Sequence, residues 1–273
     1  MSTILTDDHF QELLEKSYVI IPNYLSEPQR AEMAAAIRQI MKPWDEVKDE
    51  PPENRPNSYY FPYSEQCLNH AIIDREGIEF SKRWLETENI HYRPGLALVR
   101  YPGFKCHVKT AHIDNGNNSL LPATDADRRH SQLNFWFYLE DVDEDQAPTR
   151  MLDTADEDDL SKAVNFVGPG GSVCIFHNYT WHEASSYLRQ DGQRYVWKFA
   201  YGRADHYWEG VAHYTDVGRN EHFRDFIGSI SAKDRELFRF PPAGHPYYTE
   251  QTLAALEEQY PGWNARGEYL PSS

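Results

Sequence analysis

His112 and Asp114 stand one residue apart in "KTAHIDNGNN", just ahead of a turn rich in glycine and asparagine. In a strand, side chains at i and i+2 point to one face. The imidazole and the carboxylate would then project together while Ile113 turns away. A non-haem iron(II) centre of the oxygenase type takes two imidazoles and one carboxylate on one face of an octahedron and leaves the other positions open. A His-x-Asp pair supplies two of those three groups. Chance also produces so short a motif, and alone it reads as well as a loop with two solvated polar residues.

A third ligand must come from elsewhere. "VCIFHNYTWHEAS" offers His177 at the end of an apolar run and His182 past a bend, and either or both can be structural. Downstream, "RQDGQRYVWKFAYGR" places a glycine turn before a strand that opens with Arg194. A guanidinium entering a sheet interior needs an anion, and its planar fork fits a carboxylate through two hydrogen bonds. A dicarboxylate such as 2-oxoglutarate would chelate a metal by its keto-acid end and give its far carboxylate to such an arginine. The plain alternative is an exposed arginine. Asn134 is the polar member of the aromatic run "LNFWFY". It is a candidate contact to cosubstrate or ligand, or a residue of the strand's solvent face.

The elements that must position these groups form two patterns. Thr6 to Lys16 is expected to be helical, with Thr6 as cap, His9 three residues on, and Phe10, Leu13 and Leu14 at helical spacing. "YVIIP" follows as a short buried strand, and Ser26 is expected to cap a second helix with Pro28 in its first turn. Residues 43–66 are rich in Pro, Asp, Glu, Asn and Tyr and read as a long loop, a lid or a disordered segment. "EFSKRWLE" is expected to be helical. From Leu96, "LALVRYP", "CHVKTAHI", "SQLNFWFYLEDV", "SVCIFHNYTWH" and "RYVWKFAYGR" form a series of short strands suited to a sandwich or jelly roll. After about residue 205 the pattern turns helical, through "EHFRDFIGSI" and "TEQTLAALEEQY". The fold class expected is mainly β with flanking helices. No second-domain boundary is evident: a jelly-roll core over roughly 95–205 would sit between an N-terminal helical scaffold, 6–90, and a C-terminal helical extension, 206–273.

Composition narrows the class. Of 273 residues, 40% are hydrophobic and 14% aromatic, enough for a packed core. The formal net charge of −16 repels phosphate backbones and argues against nucleic-acid partners. Cys67, Cys106 and Cys174 fit neither a disulfide framework nor a thiolate zinc site, and Cys174 reads as a buried small residue. A reducing cytoplasm is the expected location. No signal peptide or apolar run of membrane-spanning length is seen, so no membrane partner is expected. Ten of the twenty residues from Glu140 to Asp159 are acidic, which reads as a solvated loop or as a lid for a cationic substrate.

Together these segments resemble the phytanoyl-CoA dioxygenase family of iron(II)- and 2-oxoglutarate-dependent oxygenases. The resemblance covers most of residues 8–205, through "EKSYVIIPNYLSEPQRAEM", "HID", "LNFWFYLEDVDEDQAPTRM", "GSVCIFHNYTWHEAS" and "RYVWKFAYGR". It implies a double-stranded β-helix core, the jelly roll that cupins also share. It implies iron(II) on His112, Asp114 and His182, which demotes His177, and 2-oxoglutarate on Arg194. Dioxygen and a small-molecule metabolite would complete the reaction, a hydroxylation releasing succinate and carbon dioxide. Two features depart from the family. "MLDTADEDDL" replaces a "PGSH"-like turn, which leaves the substrate contacts of that loop open, and an asparagine usual after the distal histidine is missing from "HEASSYLRQ". Halogenating relatives carry a small residue where Asp114 stands, so hydroxylation is expected over halogenation.

Two other readings compete: a jelly-roll metalloprotein with cupin-like chemistry that uses no 2-oxoglutarate, and a non-catalytic metabolite-binding protein. The first leaves Arg194 without a role, and the second predicts damaged ligands. Arg150, Lys109, Lys198 and the Tyr59–Tyr60 pair are candidates for pocket lining. "FRFPPAGHPYYTEQ" is a candidate for closing the pocket or a dimer contact. The chain is expected to be a monomer or homodimer.

Overall fold

A computed structural model describes residues 4–106, 111–114, 132–153, 156, 159–205, 214 and 217–269. Its first helix, α1 (Asp7–Lys16), begins at the expected cap: Thr6 Oγ1 accepts from the His9 N–H, and the His9 side chain accepts from the Thr6 N–H. Phe10 and Leu13 are buried, whereas Leu14 lies 43% exposed, off the edge of the packed stripe. Strand β1 (Tyr18–Ile21) leads to α2 (Glu27–Ile40), which has Pro28 in its first turn. Ser26 stands at the cap position of α2 without a side-chain hydrogen bond to the helix.

The stretch expected to be a loop over 43–66 holds helix α3 (Trp44–Val47), a 3-10 turn over Pro52–Asn54 and strand β2 (Ser58–Tyr60). Its composition hides a strand because β2 forms by pairing with an existing sheet edge, a tertiary effect that local propensity does not carry. Helices α4 (Gln66–His70) and α5 (Arg75–Leu85) precede the long strand β3 (Ile90–Arg100). Strands β4 (Gln132–Tyr138), β5 (Thr149–Met151), β6 (Val164–Phe166), β7 (Val173–His177), β8 (His182–Ala184) and β9 (Arg194–Arg203) follow. The C-terminal part is helical as expected, with α6 (Glu221–Ser229), α7 (Ala232–Arg235), α8 (Glu250–Gln259) and α9 (Ala265–Tyr269).

The strands form two antiparallel sheets. The larger runs β1-β7-β4-β9-β3-β2 and the smaller β6-β5-β8. The N-terminal segment is therefore more than a helical scaffold, since it gives β1 and β2 to the large sheet. Likewise the acidic segment 140–159 is not one loop. It contains β5, and its acids tie to the frame: Asp143 and Asp145 pair with Arg189 at 2.5 and 2.8 Å, and Asp141 accepts from the Gly170 N–H.

Alternation along the strands sorts side chains between two cores. Leu133, Phe135, Phe137, Val173, Ile175, Trp197, Phe199 and Tyr201 pack under the helices. Trp136, Tyr138, Cys174, Phe176 and Val196 face the smaller sheet with Met151 and Phe166. The helix side also takes up the C-terminal "FRFPPAGHPYYTEQ" stretch, where Phe238 packs on Phe61 and Tyr92 and Tyr248 stacks on Tyr269. Between Arg93 and Leu96 the β3–β9 register shifts, and Gly95 fills the irregularity. A Cβ there would fall 1.6 Å from the Lys198 carbonyl oxygen, so only glycine allows β9 this close. Among the described residues no helix is long and apolar enough to cross a membrane.

Candidate metal centre

His112, Asp114 and His182 converge between the two sheets, each offering a ligand atom within 4.8 Å of the others. No other such group of His, Cys, Asp or Glu occurs among the described residues. The route to this geometry differs from simple strand alternation. His112 is an isolated bridge residue, antiparallel to His182, and each backbone N–H donates to the other's carbonyl at 3.0 Å. Asp114 lies in the turn that follows. The two imidazole centroids are 4.5 Å apart, and His182 Nε2 lies 3.6 Å from Asp114 Oδ1.

Neighbouring groups fix each ligand. His182 is 2% exposed, and its Nδ1 sits 3.0 Å from the Thr180 carbonyl, so Nδ1–H donates there and Nε2 is left with its lone pair toward the cluster. Phe176 and Trp136 wall its ring at 5.0 and 5.3 Å. Burial first, and His112 second, push the His182 pKa down to about 4 against the pull of Asp114. The imidazole is thus neutral at pH 7, as a metal ligand must be. Asn134, 5% exposed, donates from Nδ2 to Asp114 Oδ2 at 3.1 Å and accepts from Gln132 Nε2 at 3.2 Å. It is therefore not on a solvent face.

His177 lies on the opposite side of the sheet, stacked on Trp84 at 5.7 Å, and burial lowers its pKa to about 4. Arg194 opens β9 as expected and is 3% exposed. Its Nη1 reaches Thr149 Oγ1 at 3.4 Å, its Nε has no partner, and among the described residues no carboxylate pairs with it. Directly across the ladder stands Arg100, whose Nη1 donates to Asn57 Oδ1 at 2.5 Å and whose guanidinium covers the Phe104 ring. Burial and the nearby Arg194 lower the Arg100 pKa to about 10.

The remaining candidates divide. Arg150 is taken by Glu183 at 2.6 Å and by the Leu160 carbonyl at 2.6 Å, so its charge is already met within the protein. Tyr59 stacks toward Tyr63 on the helix side, while Tyr60 is 53% exposed at the sheet edge. Lys109 lies outside the described residues. Lys198 lines a small cavity with Asp114, Gln132, Asn134 and Trp136, its Nζ 4.0 Å from the Trp136 ring centroid. Sequence reasoning passed over Gln132, Trp136, Thr149, Thr180 and Arg100. The period of two was a usable signal for two of them, since Gln132 and Trp136 share a β4 face with Asn134, whereas Arg100 meets Arg194 only through the β3–β9 register.

The two-sheet arrangement has counterparts among solved structures. HygX from Streptomyces hygroscopicus, in a structure with nickel and 2-oxoglutarate bound, is similar with TM-score 0.55 at 14% identity, over 74% of this chain and 88% of that one. A further HygX structure adds hygromycin B to the same two ligands. EvdO2 from Micromonospora carbonacea var. aurantiaca, complexed with 2-oxoglutarate, gives TM-score 0.53 at 14% identity, over 74% of this chain and 94% of that one. The chain shares their fold. No family model matches the sequence, and no curated protein does.

Proposed function

We propose that this chain is an iron(II)- and 2-oxoglutarate-dependent dioxygenase of the phytanoyl-CoA dioxygenase type, built on a double-stranded β-helix, that hydroxylates a small molecule. The convergence of His112, Asp114 and His182 carries the reading. Two imidazole nitrogens and one carboxylate oxygen, close enough to share an ion and beside a cavity, are the donor set of an iron(II) oxygenase site. The solved structures of the same fold that hold iron, nickel or 2-oxoglutarate add support.

Each residue then has a task. His182 is held in its donor tautomer by the Thr180 carbonyl, and Asn134 holds Asp114. Arg194 receives the far carboxylate of 2-oxoglutarate, which supplies the anion that a buried guanidinium otherwise lacks. Phe176 and Trp136 keep water from the His182 side of the site. Iron(II), when bound, supplies the activation of dioxygen coupled to decarboxylation of 2-oxoglutarate. Asp114 fills the carboxylate position, which favours hydroxylation over halogenation. A cupin-like site without 2-oxoglutarate leaves the buried Arg194 unexplained.

An anaerobic titration tests the reading. Iron(II) followed by 2-oxoglutarate should raise a weak visible charge-transfer band that saturates at one equivalent. An Arg194→Ala variant should keep iron binding and lose 2-oxoglutarate affinity. Unchanged 2-oxoglutarate affinity in that variant removes Arg194 from the site, and failure of the parent protein to bind iron removes the reading altogether.

A further inference from the structure

Lys198 is a cation that the chemistry above does not use. It stands in one transverse row of the large sheet, Tyr60–Leu96–Lys198–Trp136–Cys174, and is the row's charged member. Its side chain is partly buried and opens onto the cavity that Asp114 also lines. Its Nζ rests over Trp136, and no carboxylate lies within ion-pair distance of it among the described residues. Arg150 makes the contrast, because its pocket-candidate charge is already met by Glu183. A lysine held in protein without an acid partner is costly unless a ligand supplies the anion.

Charge and spacing identify that ligand. Arg194 and Lys198 project to the same face of β9, four residues apart, or about 13 Å along the strand at ~3.3 Å per residue. They therefore address two different anionic groups. Asp114 contributes one negative charge to the site, and Arg194, Lys198 and the neighbouring Arg100 contribute three positive ones, with Arg93 also lining the cavity. A divalent metal and doubly charged 2-oxoglutarate cancel each other, so the loaded site keeps a net positive charge beside the cavity. Burial lowers the Lys198 pKa, Asp114 opposes that fall, and Arg100 and Arg194 add to it. An anion placed against the ammonium would relieve the penalty.

We infer that Lys198 is the substrate anchor, and that the substrate is an anion carrying a carboxylate, or a group of like charge, next to an apolar portion that lies against Trp136. The inference rests on the dioxygenase reading and names the substrate class of that same site. It goes beyond that reading, which assigns Lys198 no role.

The test uses the full chain loaded with zinc(II), which is diamagnetic and inert to dioxygen, and saturated with 2-oxoglutarate. Butyrate and butyramide are the probes, being of equal shape and differing in charge, and their binding is read by ligand-observed NMR. The parent protein should bind butyrate at least about tenfold more tightly than butyramide, a difference of ~1.4 kcal/mol. Lys198→Met should lose that preference with butyramide affinity unchanged, and Lys198→Arg should keep most of it. A parent protein without the preference, or a Lys198→Met protein that retains it, overturns the inference. So does a Lys198→Met protein whose 2-oxoglutarate affinity falls tenfold, because Lys198 would then serve the cosubstrate. Should the parent protein fail to take up zinc(II) and 2-oxoglutarate at all, the dioxygenase reading fails first, and that outcome is distinct from loading without a preference for the anion.

Discussion

The two faces of the large sheet are made by alternate residues of the same strands, and they have opposite characters. On β4, Leu133, Phe135 and Phe137 point to the helices, whereas Gln132, Asn134, Trp136 and Tyr138 point to the small sheet. On β9, Tyr195, Trp197, Phe199 and Tyr201 oppose Arg194, Val196 and Lys198 in the same way. The helix face is an aromatic stack in mutual contact. The other face holds charged groups whose bonding capacity is incompletely met, such as Arg194 Nε. Stability and chemistry are thus assigned to opposite sides of one backbone. Side chains on the two faces share few partners, so changes to them should act nearly independently.

Phe199→Ala gives the largest expected effect on the stabilising side. Phe199 is 2% exposed and stacks on Phe135 at 5.5 Å, with Trp197 and Tyr201 at 5.0 and 5.1 Å. Its truncation should cost about 3–5 kcal/mol, seen as a lower urea midpoint at unchanged slope. The folded fraction should bind metal as before, and a variant that loses metal affinity in proportion to stability breaks the separation of faces. Asp114→Ala is the mirror case. Losing support to a metal ligand already lowers affinity about 10–100-fold, so losing the ligand itself should lower it about 100-fold or more. Stability of the metal-free protein should fall by about 1–3 kcal/mol, because the buried Asn134 Nδ2–H loses its acceptor, less than the loss in metal binding. Calorimetric metal titration and urea unfolding check both halves.

The helix face was the more legible of the two in the sequence. Apolar residues at period two in "LNFWFY" and "RYVWKFAY" specify strands whose one side must be covered, and the flanking amphipathic segments supply the cover. Arg194 and Asn134 stood out as polar interruptions of those runs. The rest was hidden for physical reasons. β2 exists only because β3 offers it an edge. His112 and Asp114 meet His182 through a single bridge and a turn, which no alternation predicts. His177 and His182 look alike in sequence, and only the chain's bend after β7 sends their rings to opposite sides. Lys198 and Arg150 were equal candidates until the register put Glu183 directly opposite Arg150.

Asn134→Ala sharpens the comparison at intermediate size. Asn134 sits on the chemical face yet is buried like a core residue, so it should register in both assays. Removing its hydrogen bond to Asp114 should weaken metal binding about 10–100-fold. Leaving Gln132 and Asp114 with lost partners should cost about 1–3 kcal/mol. A stability loss with unchanged metal affinity would make Asn134 purely structural.

The smallest expected effect concerns the histidine on the stabilising face. The His177 pKa is held down to about 4 by burial, against an ordinary value of 6.5. Between those values the unfolded chain binds a proton that the folded chain refuses, so stability rises with pH across the window. It is lost progressively as pH falls from about 6.5 to about 4, and this residue contributes no further loss below that. His177→Phe keeps a flat ring for Trp84 and removes the proton site, at the cost of the acceptor for the Tyr179 N–H. The slope of urea midpoint against pH should become shallower between 4 and 6.5. It should not vanish, because His91 and His182 are also lowered to about 4, chiefly by burial. Metal titration at pH 7 should be unchanged, which separates His177→Phe from His182→Phe: the second also flattens the slope but removes the metal site. A His177→Phe protein that no longer binds metal would place His177 on the chemical side and undo the division between the faces.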